Sequence, residues 1–385
     1  MNKNIDSEVI IAGGSVSGLL AARELAKNNI NVIILENDNE IGTPEKCDGL
    51  ISINALKSLS ISPTNKLIQN EIRHAILYSP NNSEIKIDAR DKGVIVLDRS
   101  EFDTELARTA TRYGAEIKLG EKVNTIQQSA NYVKTISDKT EYLSKFAIDS
   151  RGINSASNVD NISILHAAKY EVQGNWFNKD TIEVYFNQDN TPNFFTWVIP
   201  MSSDTAKIGV AGEKINVFNI LDKFVSNKGG QITKKIAAPI VISGPIKKFI
   251  NNSIITVGDA AGQTKPTTGG GIYSGGMGGI LAGQAIIKFL ENEITNINNY
   301  ENKWREIFGS EFKKMLLARR IFQNFTNDDI NQLFNILKNI DMTNTIKESN
   351  FDFHSLIFTK VLGLKNILKM FKIIANSELK HLIKN

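Results

Sequence analysis

Cysteine is nearly absent from this chain. Cys47 is the only one among 385 residues, which excludes an internal disulfide and any multi-cysteine zinc or iron–sulfur site. Histidine is scarce as well: His74, His166, His354 and His381 are scattered without metal-ligand spacing, so no metal centre is expected. Neither sign of charge dominates. The 45 Lys and Arg against 41 Asp and Glu leave a formal charge of +4, without the concentrated basic footprint that nucleic acid requires. Residues 1–8 hold no apolar core, so no secretion signal is expected. What is present is ordinary for a folded protein, with 41% hydrophobic and 22% charged residues. The length allows two or three structural units and a sizeable core, at roughly 150 residues per domain.

The chain opens with a βαβ pattern. Residues 7–12 are a short apolar run read as a buried strand, a Gly/Ser turn follows at 13–18, residues 19–26 read as a helix, and 31–35 form a second strand ending at Glu36. That order implies a parallel sheet. Residues 72–78 and 84–88 predict a hairpin around Pro80-Asn81-Asn82, and 94–97 a further strand. Arg99 to Tyr113 predicts a helix with Phe102, Leu106 and Ala110 on one face and Ser100 as its N-cap. From 116 to 210 the pattern is mostly strand and turn, clearest at 181–186 and 194–199. Residues 254–257 are a late buried strand, and from Tyr300 the pattern is helical. No charged residue lies between Lys265 and Lys288, a length that could span a membrane. Its Thr- and Gly-rich first half and the spacing of Gly271, Gly275, Gly279 and Gly283 instead predict a loop and helix packed closely against another element.

The turn Gly13-Gly14-Ser15-Val16-Ser17-Gly18 sits between strand and helix, where a dinucleotide site needs it. Gly13 permits the tight turn and Gly18 close helix–strand packing, while the helix N-terminus offers free amides to a pyrophosphate. Ser15 replaces the usual second glycine and can offer its hydroxyl. Glu36, about twenty residues on, is placed to accept from ribose hydroxyls, which favours FAD or NAD over NADP. A second constellation follows the late strand: Gly258-Asp259-Ala260-Ala261-Gly262, then Pro266, then Gly269-Gly270-Gly271-Ile272. Asp259 can bond a polyol, the glycines let backbone approach a flat ring, and the following helix favours negative charge there. The plain alternative is a strand–turn–helix with Asp259 as a cap.

These motifs, with the Asp98-Arg99-Ser-Glu-Phe-Asp-Thr-Glu-Leu helix start, resemble flavoproteins of the p-hydroxybenzoate-hydroxylase-like superfamily. Two further segments resemble the archaeal geranylgeranyl reductase family. Residues 41–52, around Cys47, are similar to its cysteine-containing loop. Phe195-Thr196-Trp197-Val198-Ile199-Pro200 with Ile208-Gly209-Val210 is similar to its Tyr-x-Trp-x-Phe-Pro…Val-Gly substrate motif. The resemblance runs from about residue 7 to residue 300. It departs from the family at Phe195, Ile199 and Ala211. It also departs at Arg151, which stands where the superfamily has the Asp of Asp-Gly, a group serving FAD and NADPH.

The resemblance implies an α/β (α+β overall) fold. A discontinuous Rossmann-like FAD-binding domain (1–70, 94–160, 245–298) carries an inserted antiparallel β-sheet substrate domain (71–93, 161–244), and a C-terminal helical region follows (299–385). It implies FAD held by Gly13, Ser15, Val16, Ser17, Gly18, Glu36, Arg99, Asp259, Gly269, Gly270, Gly271 and Ile272. Cys47 lies beside the ring as the catalytic candidate, with an inert buried thiol as the bland alternative. Phe195, Trp197 and Pro200 are expected to wall a channel for an isoprenoid lipid chain, whose alkenes would be saturated by hydride from reduced flavin with coupled proton delivery. NAD(P)H or a ferredoxin-type carrier is the expected electron donor. The expected location is cytoplasmic, peripheral on the inner face of the membrane. Ile357, Val361, Leu364, Leu368 and Phe371 recur at helical spacing among lysines, a pattern that can cap the substrate domain or lie on an anionic surface. The competing readings are a flavin monooxygenase of a hydrophobic or aromatic substrate, a flavin-linked electron carrier, and a flavin-free descendant.

Overall fold

In a computed structural model the chain is described over residues 5–156, 163–339 and 351–353. The apolar run Ser7–Ala12 becomes the central strand of an eight-stranded sheet. Val32–Leu35 and Glu141–Asp149 flank it, both parallel to it, and Glu116–Lys118 and Ile254–Thr256 extend the parallel set outward. A parallel sheet is covered on both faces, which is why every residue of Val32–Leu35 is buried. The antiparallel pair Val123–Gln128 and Val133–Ser137 is attached to the Glu141–Asp149 strand.

The helix Val16–Lys27 lies on this sheet and meets the helix Ile272–Leu290. Glycine makes that contact possible: a Cβ at Gly279 would stand 2.0 Å from the Ser17 carbonyl oxygen. The small-residue spacing is therefore a helix–helix contact, as the sequence leads one to expect. Among the described residues no helix is long and apolar enough to cross a membrane. The helix Asn299–Gln323 adds Tyr300, Trp304, Phe308 and Phe312 to the same core at i, i+4 spacing. Each such ring contributes roughly 1.5–3 kcal/mol by leaving water.

A second eight-stranded sheet runs in the order 231–237, 164–173, 205–212, 196–200, 181–185, 74–78, 84–88, with 240–241 beside 164–165. It is antiparallel except where Thr181–Tyr185 pairs with His74–Tyr78. One face packs Tyr170, Val172, Val198 and Ile208 against the helix Val217–Lys228. The other face, with Trp197, Ile199, Ala167 and Ala211, packs toward Val94 and Val96. Val94–Leu97 is the middle strand of a third, three-stranded sheet with Leu50–Ser52 and Ile68–Ile72, which lies between the two larger ones.

One local expectation is corrected. The helix Arg99–Arg112 is capped by Asp98, whose carboxylate accepts from the Glu101 amide at 2.9 Å, and Ser100 falls inside the first turn. The helix starts two residues earlier than a Ser100 cap requires, and a carboxylate satisfies the exposed amides at least as well as a hydroxyl. The apolar and basic pattern at Ile357–Phe371 lies outside the described residues.

Candidate functional site

The glycine turn is built as the spacing requires. Gly13 sits at φ +104°, and a Cβ there would stand 2.6 Å from the Ser150 carbonyl oxygen. Gly18 faces the Gly13 carbonyl so closely that only hydrogen fits between them. Ser15 is the N-cap of the first helix but makes no side-chain cap, so the first amides of that helix, at Val16 and Ser17, have no cap from it. Ser15 itself is exposed, and Val16 and Ser17 are buried behind it. The Glu36 carboxylate accepts from the amides of Gly14 at 2.5 Å and Asp38 at 2.8 Å. It thus holds the turn as well as ending the second strand.

The late constellation folds onto the same turn. A Cβ at Gly258 would stand 2.4 Å from Ser17 Oγ, and one at Gly271 would stand 3.0 Å from Asp259 Oδ1. Thr264 Oγ1 donates to Asp259 at 2.9 Å. Asp259 is solvent-accessible yet ringed by protein, as a side chain lining a cleft should be, and that enclosure raises its pKa. The helix Ile272–Leu290 begins at Gly271 with no side-chain cap, leaving a second open N-terminus beside Asp259.

Arg99 completes the cleft. It is buried, its Nη2 donates to both Asp103 carboxylate oxygens at 2.9 and 2.8 Å, and its charge acts on Asp259. Burial alone would lower the Arg99 pKa. The Asp103 carboxylate bonded to it and Cys47 beside it hold it above its ordinary value instead. Its Nε is buried with no hydrogen-bond partner among the described residues. Cys47 is partly exposed in the loop 43–49.

The structure separates the expected channel residues. Trp197 lies on the inner face of the second sheet, its ring seated on Gly209, where a Cβ would stand 2.1 Å from the indole. Phe195 is edge-on to it at 5.9 Å and stacks on Phe194 at 4.1 Å. Pro200 is three residues further along the strand, so its ring belongs to the opposite face. Its carbonyl accepts from Asn70 at 2.8 Å. The Trp197 indole N–H donates to Asp48 at 2.7 Å, joining the sheet to the cysteine loop.

Several residues at this junction are not singled out by motif reading. Lys169 and Lys207 are almost wholly buried and point at the same loop. A readable signal exists: each lysine stands inside an apolar strand, in Ala167-Ala168-Lys169-Tyr170 and Ala206-Lys207-Ile208. Lys265 borders a cavity of about 20 Å³, room for a single water, together with Glu311 and Asp352. Burial lowers its pKa against the pull of those two carboxylates. Arg151 pairs with Asp149 at 2.8 and 2.9 Å and with the Val123 and Asn124 carbonyls, so its guanidinium is committed to the sheet.

Known proteins are similar to this chain in sequence and in fold. A family model described as lycopene cyclase protein matches residues 8–209. An uncharacterized protein of Methanocaldococcus jannaschii is 30% identical over 97% of this chain and 99% of its own. Digeranylgeranylglycerophospholipid reductase 1 of Methanosphaera stadtmanae is 27% identical over 98% of this chain and 100% of its own. Among solved structures, a geranylgeranyl bacteriochlorophyll reductase-like protein from Thermoplasma acidophilum shares the fold with TM-score 0.81 and 21% identity, over 96% of this chain and 99% of that one. The flavin-dependent brominase Bmp2 shares it at TM-score 0.66 and 16% identity, over 95% and 99%. The chain belongs to the family that the lycopene cyclase protein model describes, and it is similar over nearly its whole length to a digeranylgeranylglycerophospholipid reductase.

Proposed function

We propose that the protein is an FAD-dependent oxidoreductase that saturates C=C bonds of geranylgeranyl chains in membrane ether lipids. One observation carries this reading. The uncapped first helix, Asp259 with the second uncapped helix, and the Arg99–Cys47 pair converge on one cleft beside an apolar sheet face. The residues fit FAD. The open amides at Val16 and Ser17 suit the pyrophosphate, Glu36 and Asp259 suit hydroxyls of the ribose and ribityl, and the orphaned Arg99 Nε has a donor to give. The glycines at 269–271 leave room for a flat ring.

Bound FAD, once reduced, supplies the hydride. The chain's own residues do the rest. Arg99 holds a fixed positive charge in the cleft, which favours an anionic partner there. Cys47 Sγ, beside Arg99, is the group proposed to position the alkene or carry its proton. Phe195 and Trp197 on the inner sheet face give the prenyl chain an apolar wall and keep water away from the reacting bond. The electrons come from NAD(P)H or a ferredoxin-type carrier, and the lipid is met at the cytoplasmic membrane surface. The test is anaerobic turnover of chemically reduced protein with digeranylgeranylglyceryl phospholipid, read by lipid mass spectrometry. Mass gains in steps of two hydrogens are expected. A lipid left unchanged, with oxygen-dependent NAD(P)H consumption in its place, would replace this reading with a monooxygenase.

A further inference from the structure

The loop 43–49 carries Cys47 and has no regular secondary structure. It is nonetheless fastened to the second sheet by an unusual device. Lys169, 1% exposed in its side chain, donates to the Cys47 carbonyl at 2.9 Å and lies 3.5 Å from the Asp48 carboxylate. Lys207, fully buried, donates to Glu45 at 2.5 Å, to the Asp48 carbonyl at 3.2 Å and to Gln69 at 3.2 Å. Trp197 donates to the other Asp48 oxygen. Lys169 and Trp197 each lie opposite Gly209, and Lys207 is two residues from it, so all three side chains share one face of the sheet.

We infer that Lys169 and Lys207 are positioning residues that dock the cysteine loop and set where Cys47 stands relative to Arg99. This deepens the proposed reductase reading and rests on it for its catalytic consequence. The physical case is one of charge. Lysine is almost never fully buried unless paired, and burying its ammonium is expensive. Here both counter-charges, Glu45 and Asp48, come from the very loop that bears Cys47. The two cations are therefore compensated only when the loop is docked, and an undocked loop leaves two bare charges in an apolar sheet. The network also reaches the cleft from the other side. Gln69, held by Lys207, donates to Asp98 at 3.4 Å, and Asp98 caps the helix on which Arg99 is the first residue. One buried cluster thus fixes both members of the Arg99–Cys47 pair.

The test uses the FAD-loaded full chain and Lys169→Met. Hydrogen exchange of the 43–49 amides, and the alkylation rate of Cys47 by iodoacetamide, are measured without any lipid. Both are expected to rise about tenfold over wild type, while flavin content stays at wild-type level. In the lipid assay kcat falls with KM unchanged, and the flavin absorbance band shifts as its surroundings move. Because a lone Lys207→Met variant can fail to fold, the double variant Glu45→Met, Lys207→Met keeps the cluster neutral and is expected to show the same loop release. Wild-type exchange and alkylation in both variants would overturn the inference, as would a uniform rise in exchange across the whole second sheet. The exchange and alkylation readouts stand even if the protein reduces no prenyl lipid, so the two readings fail separately.

Discussion

The two halves of the cleft are built by different physics. The nucleotide side is made of backbone: uncapped helix starts, a turn at positive φ, and glycines that let one segment touch another. The substrate side is made of side chains: two buried lysines, two carboxylates, an indole and stacked phenylalanines. Backbone devices tolerate no added atom, whether the partner is near in the chain, as for Gly13 and Gly18, or far, as for Ser17 and Gly279. Side-chain devices join segments far apart in the chain and fail by losing a charge partner. The helix contact at Gly279 and the ion pair at Lys207 represent the two kinds.

That contrast orders the expected effects of substitution. Lys207→Met leaves Glu45 buried without its cation and is expected to destabilise the protein by about 3–5 kcal/mol, most of it regained in the Glu45→Met, Lys207→Met double variant. Thermal melts of the three proteins check this, and a double variant no better than the single would deny that charge is the issue. Gly279→Val drives a side chain into the Ser17 carbonyl and is expected to lose about 3 kcal/mol, together with bound flavin. No second substitution at a distance should restore it, because the obstacle is backbone.

A smaller effect comes from Asp259, where stability and cofactor binding pull in opposite directions. The protein around it in the cleft strips part of its hydration and holds its carboxyl above the ordinary value of 3.8. A carboxyl raised on folding contributes its full stability below that ordinary value and loses the contribution as pH rises through the folded value. At neutral pH Asp259→Asn is therefore expected to stabilise the cofactor-free protein and to flatten this part of its pH dependence, while weakening FAD binding by roughly tenfold. Melts across pH and a flavin fluorescence titration read the two effects separately. The smallest effect is at Asp98→Ala, which removes a helix cap and is expected to lower stability by about 1 kcal/mol. Ser100→Ala should do almost nothing to the cap.

The same contrast explains what could be read from the sequence. The strands at 7–12 and 32–35, the glycine turn and the glycine helix are legible because their signals, apolar runs and glycine spacing, lie within a few neighbouring residues. The Asp98 cap is misread by two positions, since Asp98 and Ser100 both carry suitable oxygens and only the helix register chooses between them. Pro200 appears beside Trp197 in the motif, yet strand alternation sends the two side chains to opposite faces. Lys169 and Lys207 escape motif reading because their partners lie 122 and 162 residues away, at Cys47 and Glu45. A lysine flanked by apolar strand residues marks such a site without naming its partner. The three-stranded sheet between the larger ones escapes for the same reason, since Leu50–Ser52 and Ile68–Ile72 are short and find their partner only in Val94–Leu97.

The most direct measurement is flavin reoxidation without oxygen. Protein reduced under anaerobic conditions is mixed with geranylgeranyl phospholipid, and the return of oxidised-flavin absorbance is followed. A prenyl-lipid reductase returns the absorbance on lipid addition, with one double bond saturated for each flavin reoxidised. Flavin that stays reduced until oxygen is admitted would contradict it.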